Sequence, residues 1–285
     1  MWTGDTMRKP FCTLGRLWLA GLCALFGGTV LAGHELEQLD YQVSYRGMLS
    51  LGQDVQIADV SLQTRRLGDA PGLRALSLEA SSAAYPAVES VYPIRYRFRT
   101  WLSGDGTQLV GFETNEKGQK VRHRLYLRDA SALGVKRLEM QDGAARRAIA
   151  QLDAGENPTD VAGKDRLLDR LGLLQRVRRQ QLAPGAEFRF AVTNGRHPLV
   201  YRVVVEAAQT LEFGGHAVPA WKLRFDGSRI RDDGAEEPSH RPVYIWLSRA
   251  PAHVPLRAES RHAVGLFRVE LKQAAALNRM AGLDP

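Results

Sequence analysis

Apolar side chains recur at every second position through most of this chain, in short runs cut by turn residues. That period belongs to extended strands, whose alternate residues face opposite ways, and it points to antiparallel sheet. Tyr41, Val43 and Tyr45 alternate with Gln42, Ser44 and Arg46. Val55 and Ile57 share one parity and Val60 and Leu62 the other, which predicts a β-bulge near Ala58-Asp59 or a strand break. Leu76, Leu78 and Ala80 continue the pattern. Hairpins follow, with Arg95–Leu102 leading through Gly104-Asp105-Gly106 to Gln108–Thr114, and Glu116-Lys117-Gly118 turning into Lys120–Arg128. Asp142-Gly143 separates Val135–Met140 from Ala144–Leu152, and Asn194-Gly195 separates Phe188–Thr193 from Leu199–Ala207. Glycine is favoured in both turns because it accepts positive φ at little cost. Leu211–Phe213, Ala217–Phe225, Val243–Leu247, Leu256–His262 and Leu266–Leu271 complete the strands, and the acidic loop Arg231–Ser239 reads as a solvated connection.

One stretch, Gly163 to Gln180, has helical spacing. Leu167, Leu171, Leu174 and Val177 form its apolar stripe, and Asp165, Arg166, Asp169, Arg170, Arg178 and Arg179 its polar side. Thr159 or Asp160 is placed to cap it, and Pro184-Gly185 ends it. The tail after Gln273 is alanine-rich and reads as a short frayed helix. The expected fold is mainly β, a curved antiparallel sheet (β-roll or half-barrel) with one amphipathic helix packed on or in it. The helix divides the strands into two groups, which fits two subdomains as well as one continuous sheet. The organisation adopted is a leader over residues 1–32, a mainly β exported domain over 33–275 and a C-terminal tail over 276–285.

The leader is read from its pattern. Arg8, Lys9 and Arg16 precede an apolar run from Leu17 to Leu31, and Val30-Leu31-Ala32 offers a cleavage site before Gly33. Positive start, apolar centre and small-residue exit make a secretory signal peptide. Either Met1 or Met7 fits as its start. The run is short and glycine-rich beside the roughly 20 apolar residues of a spanning helix, so a retained anchor is disfavoured. Leu22 before Cys23 is wrong for lipidation. The expected destination is the periplasm of a Gram-negative envelope, with no transmembrane helix in the mature chain.

Both cysteines, Cys12 and Cys23, lie in the leader. Disulfides, thiolate nucleophiles and cysteine-bound metals are thereby excluded from the exported part, which must be held by its core. The formal charge is +8, and removal of three basic residues and one acid with the leader leaves +6. A basic exported protein suits anionic envelope partners: phospholipid head groups, lipopolysaccharide or acidic glycans. Export makes nucleic acid an unsuitable partner.

Several local patterns coincide with one family. Tyr41-x-Val43-x-Tyr45-x-Gly47 is followed by Leu51-Gly52. A Leu- and Arg-rich helix preceded by Asp160 runs into Leu182-x-Pro184-Gly185-x-x-Phe188. Ile245-Trp246-Leu247-Ser248 precedes Val254-Pro255-Leu256, Gly265 and a strand ending at Leu271. Over roughly residues 38–272 the chain resembles the bacterial exported domain-of-unknown-function DUF3108 family. The resemblance implies a signal peptide, an antiparallel β-roll or half-barrel, and no established activity. It extends loosely to the curved sheets of periplasmic lipoprotein carriers, a likeness of fold that does not fix function. Arg249-Ala250 departs from the acidic residue expected after Ser248, which argues against a carboxylate site there.

Two candidate sites emerge. The first is a basic face: Arg95, Arg97, Arg99 and Trp101 project together, as do Arg122, Arg124, Tyr126 and Arg128. If the hairpins pair in sequence, the rows are expected on one face about 10 Å apart. Arginine forks suit phosphates and carboxylates. An ordinary solvated face with Tyr96, Phe98 and Leu102 inward explains the same residues. The second is an apolar groove for an acyl chain, lined by Tyr41, Val43, Tyr45, Tyr96, Phe98, Phe188, Phe190, Trp221, Phe225, Trp246 and Phe267. A filled core explains these equally well.

No cofactor or metal is called for. His34, His123, His197, His216, His240, His253 and His262 lack ligand spacing. No Gly-x-Ser-x-Gly elbow or phosphate loop occurs, and Asp232, Asp233, Glu236 and Glu237 cluster in a loop without the rigid separation that glycosidase carboxylates need. The expected function is non-enzymatic binding of an anionic amphiphile or glycan in the envelope. A structural or interaction adaptor for envelope assembly, without a small ligand, is the competing class.

Overall fold

Alternating strands bury one row of side chains and satisfy their backbone groups by pairing with neighbours. The computed structural model describes residues 34–69, 72–117, 121–130, 134–159, 166–213, 216–238 and 241–272, and its strands form one antiparallel sheet. The first half contributes β1 (His34–Gly47), β2 (Val55–Leu67), β3 (Leu73–Ser81), β4 (Arg95–Ser103), β5 (Leu109–Lys117), β6 (Val121–Arg128) and β7 (Val135–Glu139). The second half contributes β8 (Glu187–Thr193), β9 (Pro198–Phe213), β10 (His216–Ile230), β11 (Glu236–Pro238), β12 (Val243–Ser248), β13 (Pro255–His262) and β14 (Gly265–Leu271). Among the described residues, three α-helices interrupt them: α1 (Pro86–Val91), α2 (Gly143–Asp153) and α3 (Arg170–Val177).

The strand order is β7-β6-β5-β4-β3-β2-β1-β14-β13-β12-β10-β9-β8, with β11 on the end of β10. The two halves therefore join through β1 and β14. Tyr41 opposes Leu271, Val43 opposes Val269 and Tyr45 opposes Phe267. The sheet nearly closes on itself. Leu168 bridges Val192 of the β8 edge, donating to Ala191 and accepting from Thr193, while Leu167 accepts from Leu109 at the start of β5. The β8–β9 tip also lies against β6: Gly195, at φ 77°, leaves no room for a Cβ beside the Tyr126 ring. The bulge expected in β2 is present, with Val43 opposite Ala58 and Ser44 opposite Gln56, so Ile57 is the extra residue.

Two sequence expectations fail. Ala144–Leu152 is not a strand after an Asp142-Gly143 turn but helix α2, with Asp142 before its first turn. Ala145, Ala148 and Leu152 recur at helical spacing and are buried against Trp101, Leu125, Leu67 and Leu73. The alanine-rich run and this tertiary face outweigh the local turn signal. The main helix is also shorter than the Gly163–Gln180 span. It is capped by Asp169, whose carboxylate accepts from Gly172 N at 2.8 Å, rather than by Thr159 or Asp160. Asp160, the leader and the C-terminal tail fall outside the described residues.

Helix α3 sits inside the curled sheet. Leu173 and Val177 pack with Val192, Val203, Val205, Leu223, Phe225 and Leu247, and Gln175 reaches Thr64 of β2 at 3.2 Å. At its C-terminal end Arg178 is buried. It forms a two-pronged pair with Glu37 of β1 at 2.6 and 2.7 Å and donates to the carbonyls of Ala252 and His253. Among the described residues, no helix is long and apolar enough to cross a membrane.

Candidate functional site

The register decides the fate of the basic face. Arg97 opposes Asn115, which opposes His123, while Phe98 opposes Thr114, which opposes Arg124. The row of Arg95, Arg97, Arg99 and Trp101 therefore lies on one side of the sheet, and Arg122, Arg124, Tyr126 and Arg128 lie on the other. The cause is a one-residue bulge. Trp101 pairs with Gly111 and Leu102 with Leu109, leaving Val110 extra. Without it, Arg97 would have matched Arg124 and the rows would have shared a face.

Most of the first row is engaged in holding helices to the sheet. Arg95 grips Glu89 of α1 at 2.6 and 3.0 Å. Arg99 bonds Glu113 and Asp153 of α2 and lies 4.8 Å from the centre of the Trp101 ring. Trp101 is fully buried and donates from Nε1 to Asp153 at 3.2 Å. Glu113, 1 % exposed, also meets His123. Burial pushes the Glu113 carboxyl up, and the Arg99 guanidinium with His123 more than reverses this, so it lies below the ordinary glutamate range. Arg97 is the exception in this row, with its Nε buried and unbonded.

The second row faces α3 and forms a site. A cleft of about 470 Å³ opens between β4, β5, β6, the β8–β9 tip and the first turn of α3. Leu78, Phe98, Phe112, Tyr126 and Leu171 supply its apolar surface, and the Phe112 and Tyr126 rings stack 4.6 Å apart. Arg122, Arg124, Arg170 and Arg196 line it. Glu116 stands 3.8 Å from Arg122, whereas Arg124, Arg170 and Arg196 have no acidic partner among the described residues. Arg128, buried, turns away to the Gly134 carbonyl. This volume is in the usual range of small-ligand pockets, and an apolar floor beneath convergent cations suits a ligand with an anionic head and an apolar body.

Asp169 lines the same cleft beneath these arginines. It accepts from Thr100 Oγ1 at 2.5 Å as well as from Gly172 N. Burial raises its pKa, and the hydrogen bonds only partly oppose this. The protonated form is therefore favoured in the fold. The stability this gives is complete below the ordinary aspartate value near ~4 and is lost as pH rises through the raised one. Asp169→Asn keeps the acceptor for Gly172 N. Urea unfolding from about pH 4 to 8 is expected to show the variant equal to or more stable than the parent at neutral pH, with a flatter profile. A steeper fall with pH in the variant would contradict this.

The family model described as "Protein of unknown function (DUF3108)" matches residues 40–272. The chain belongs to the DUF3108 family. That match takes in every strand from β2 to β14 and both lips of the cleft. Comparison of this DUF3108 chain with curated proteins finds no match. Among solved structures it is similar to the β-barrel-like DUF1849 protein from Brucella abortus, with 10% identity, a TM-score of 0.41, and coverage of 82% of this chain and 94% of that one. It is also similar to a putative exported protein of YmcC-like fold from Bacteroides fragilis, with 11% identity, a TM-score of 0.33, and coverage of 86% and 97%.

The aromatic groove expected from sequence is not continuous in this DUF3108 chain, because α3 occupies the sheet interior. Phe225 is buried with Val203 and Leu223, and Trp221 packs at the border of that cluster beneath Arg249. Trp246 opposes Lys222, one residue out of phase with Trp221 opposite Leu247, so the two tryptophans face opposite ways. Tyr45 and Phe267 pack on each other 5.1 Å apart, and Tyr45 OH donates to Val264. Phe190 adjoins a separate pocket with Arg166, Arg176 and Arg189. Of the sequence candidates, Phe98, Arg122, Arg124 and Tyr126 meet in the cleft. Leu78, Phe112, Asp169 and Arg196 were missed. Arg196 follows the Asn194-Gly195 turn, and that turn was the available signal for it.

Proposed function

We propose that this DUF3108 protein is a non-enzymatic component of the bacterial cell envelope that holds an anionic amphiphile in the cleft. One observation carries the reading: half-buried Arg124, without an acidic partner, lines the same solvent-open cleft as the stacked Phe112 and Tyr126 rings. The phosphate or carboxylate of a lipid or lipopolysaccharide fragment meets Arg124, Arg122 and Arg196, and its first methylenes cover Phe98 and Phe112. The leader pattern and the basic balance of the exported part support an envelope setting.

Titration with a short-chain anionic phospholipid below its micelle concentration tests this. Arg124→Glu with Arg122→Glu is expected to weaken binding ~10-fold or more, from lost charge-assisted bonds and added repulsion. Arg97→Glu, on the opposite face, is expected to leave binding within about twofold. Equal loss from both, or no loss from the first, would refute the assignment.

A further inference from the structure

In an antiparallel sheet every second connection emerges at the same end. The β1–β2, β3–β4, β5–β6, β8–β9, β10–β12 and β13–β14 connections therefore share one rim of the curled sheet. The large apolar side chains most exposed among the described residues gather there. Met48 (84 %) and Leu51 (91 %) cap the β1–β2 connection, with Val55 behind them. Val91 and Tyr92 end α1, Val121 begins β6 and Val264 tips the β13–β14 hairpin. Leu36, on the far half of β1, is the only other residue of this kind in the described part.

Two details mark the arrangement as more than scattered surface hydrophobes. Leu51 holds φ 51°, a left-handed backbone that a leucine rarely adopts and that glycine or asparagine would take more readily. The chain thus keeps a strained leucine at its most exposed tip. The β1–β2 and β13–β14 tips are also fixed to each other, by Gly47 opposite Gly265 and by the Tyr45 hydroxyl on the Val264 carbonyl. The exposed apolar residues belong to four different strand connections, so they stand as separate projections rather than as one flat patch. A protein partner needs a continuous complementary face of about 1,000 Å² or more. A bilayer interface accepts separate projections, each sinking among head groups.

Charge fits the same occupant. Arg241 and Arg261, at the β12 start and the β13 end, have no acidic partner among the described residues. Arg46 faces Asp54 at only 3.8 Å, with both half exposed. The acidic residues Asp232, Asp233, Glu236 and Glu237 sit on the same rim in the β10–β12 connection, at the end of β10 and outside the arc from β6 to β13 that carries the apolar tips.

We propose that this arc is a membrane-docking rim, whose apolar tips enter the interfacial layer of an anionic bilayer while the rim arginines hold its head groups. The rim is a second surface, separate from the cleft, and it binds a bilayer whatever the cleft takes. Its position at the cleft's own end of the sheet would let a lipid pass between bilayer and cleft without crossing open water.

The absence of cysteine after residue 32 allows a direct test on the exported protein. An environment-sensitive fluorophore is attached in turn to Leu51→Cys, Val264→Cys and Leu36→Cys. Vesicles of phosphatidylglycerol and phosphatidylethanolamine are then added. A blue shift at positions 51 and 264, with none at 36, is expected. A label at 51 and 264 that stays in water, or one at 36 that shifts as much, would overturn the proposal. In flotation, Met48→Ser, Leu51→Asn, Val121→Ser and Val264→Ser together are expected to lower vesicle binding ~10-fold or more. All four sites are exposed, so the thermal midpoint should be retained. Arg124→Glu should still float with vesicles, which separates failure of the cleft from failure of the rim. Wild-type protein that ignores vesicles but forms a dimer abolished by the fourfold variant would replace the bilayer with a second copy of the chain.

Discussion

Arg178→Ala is expected to destabilise the protein by about 3–5 kcal/mol, the usual cost of removing one member of a buried ion pair. The guanidinium is 7 % exposed and Glu37 13 % exposed, and their two-pronged contact joins the end of α3 to β1. Truncation leaves the Glu37 carboxylate buried without a counter-charge and frees the carbonyls of Ala252 and His253. Lysine cannot make the fork, so Arg178→Lys should recover only part of the loss. Arg178→Met with Glu37→Leu should recover more, because an apolar pair removes the desolvation cost altogether. Urea unfolding with linear extrapolation reads all three. A loss under about 1 kcal/mol in Arg178→Ala would mean that α3 is not held inside the sheet by this pair.

The second large effect is expected at Glu113, where alanine should also cost about 3–5 kcal/mol. Its carboxylate is buried in β5, and the Arg99 guanidinium and the His123 ring converge on it. Arg99 also reaches Asp153 of α2, so the loss should loosen α2 from Trp101. The pH dependence has a definite sign. Because the folded-state pKa lies below the ordinary value, Glu113 stabilises above that ordinary value, near ~4.3, and this contribution is lost as pH falls through the depressed one. Glu113→Gln should therefore be less stable at neutral pH and should lose less on acidification than the parent. Parallel acid limbs in parent and variant would contradict this.

The strands were legible because alternation is a local signal, and even the β2 bulge could be read from the change of parity between Ile57 and Val60. The faces were not legible across hairpins. A single extra residue, Val110, reverses which side of β5 and β6 shares a face with β4, and no local pattern marks it. The same limit hid the cleft. Phe98 belonged to one sequence candidate and Arg122, Arg124 and Tyr126 to another, and only the register and the fold-back of α3 bring them together. Helix α2 was misread because Asp142-Gly143 is a strong turn signal, while the evidence for the helix lies in burial of Ala145, Ala148 and Leu152 on a distant tryptophan. The apolar rim was invisible for a similar reason: Met48, Val91, Val121 and Val264 are far apart in sequence, and strand order alone gathers them at one end.

The cleft assignment is tested most directly by magnetic resonance with a water-soluble, short-chain anionic phospholipid carrying a nitroxide beside its head group. Ring signals of Phe98, Phe112 and Tyr126 should broaden on addition of the spin-labelled ligand and recover when an unlabelled copy displaces it, with Trp101 and Trp246 unaffected. Broadening centred on Trp101 and Arg97, or none anywhere at saturating ligand, would contradict the account.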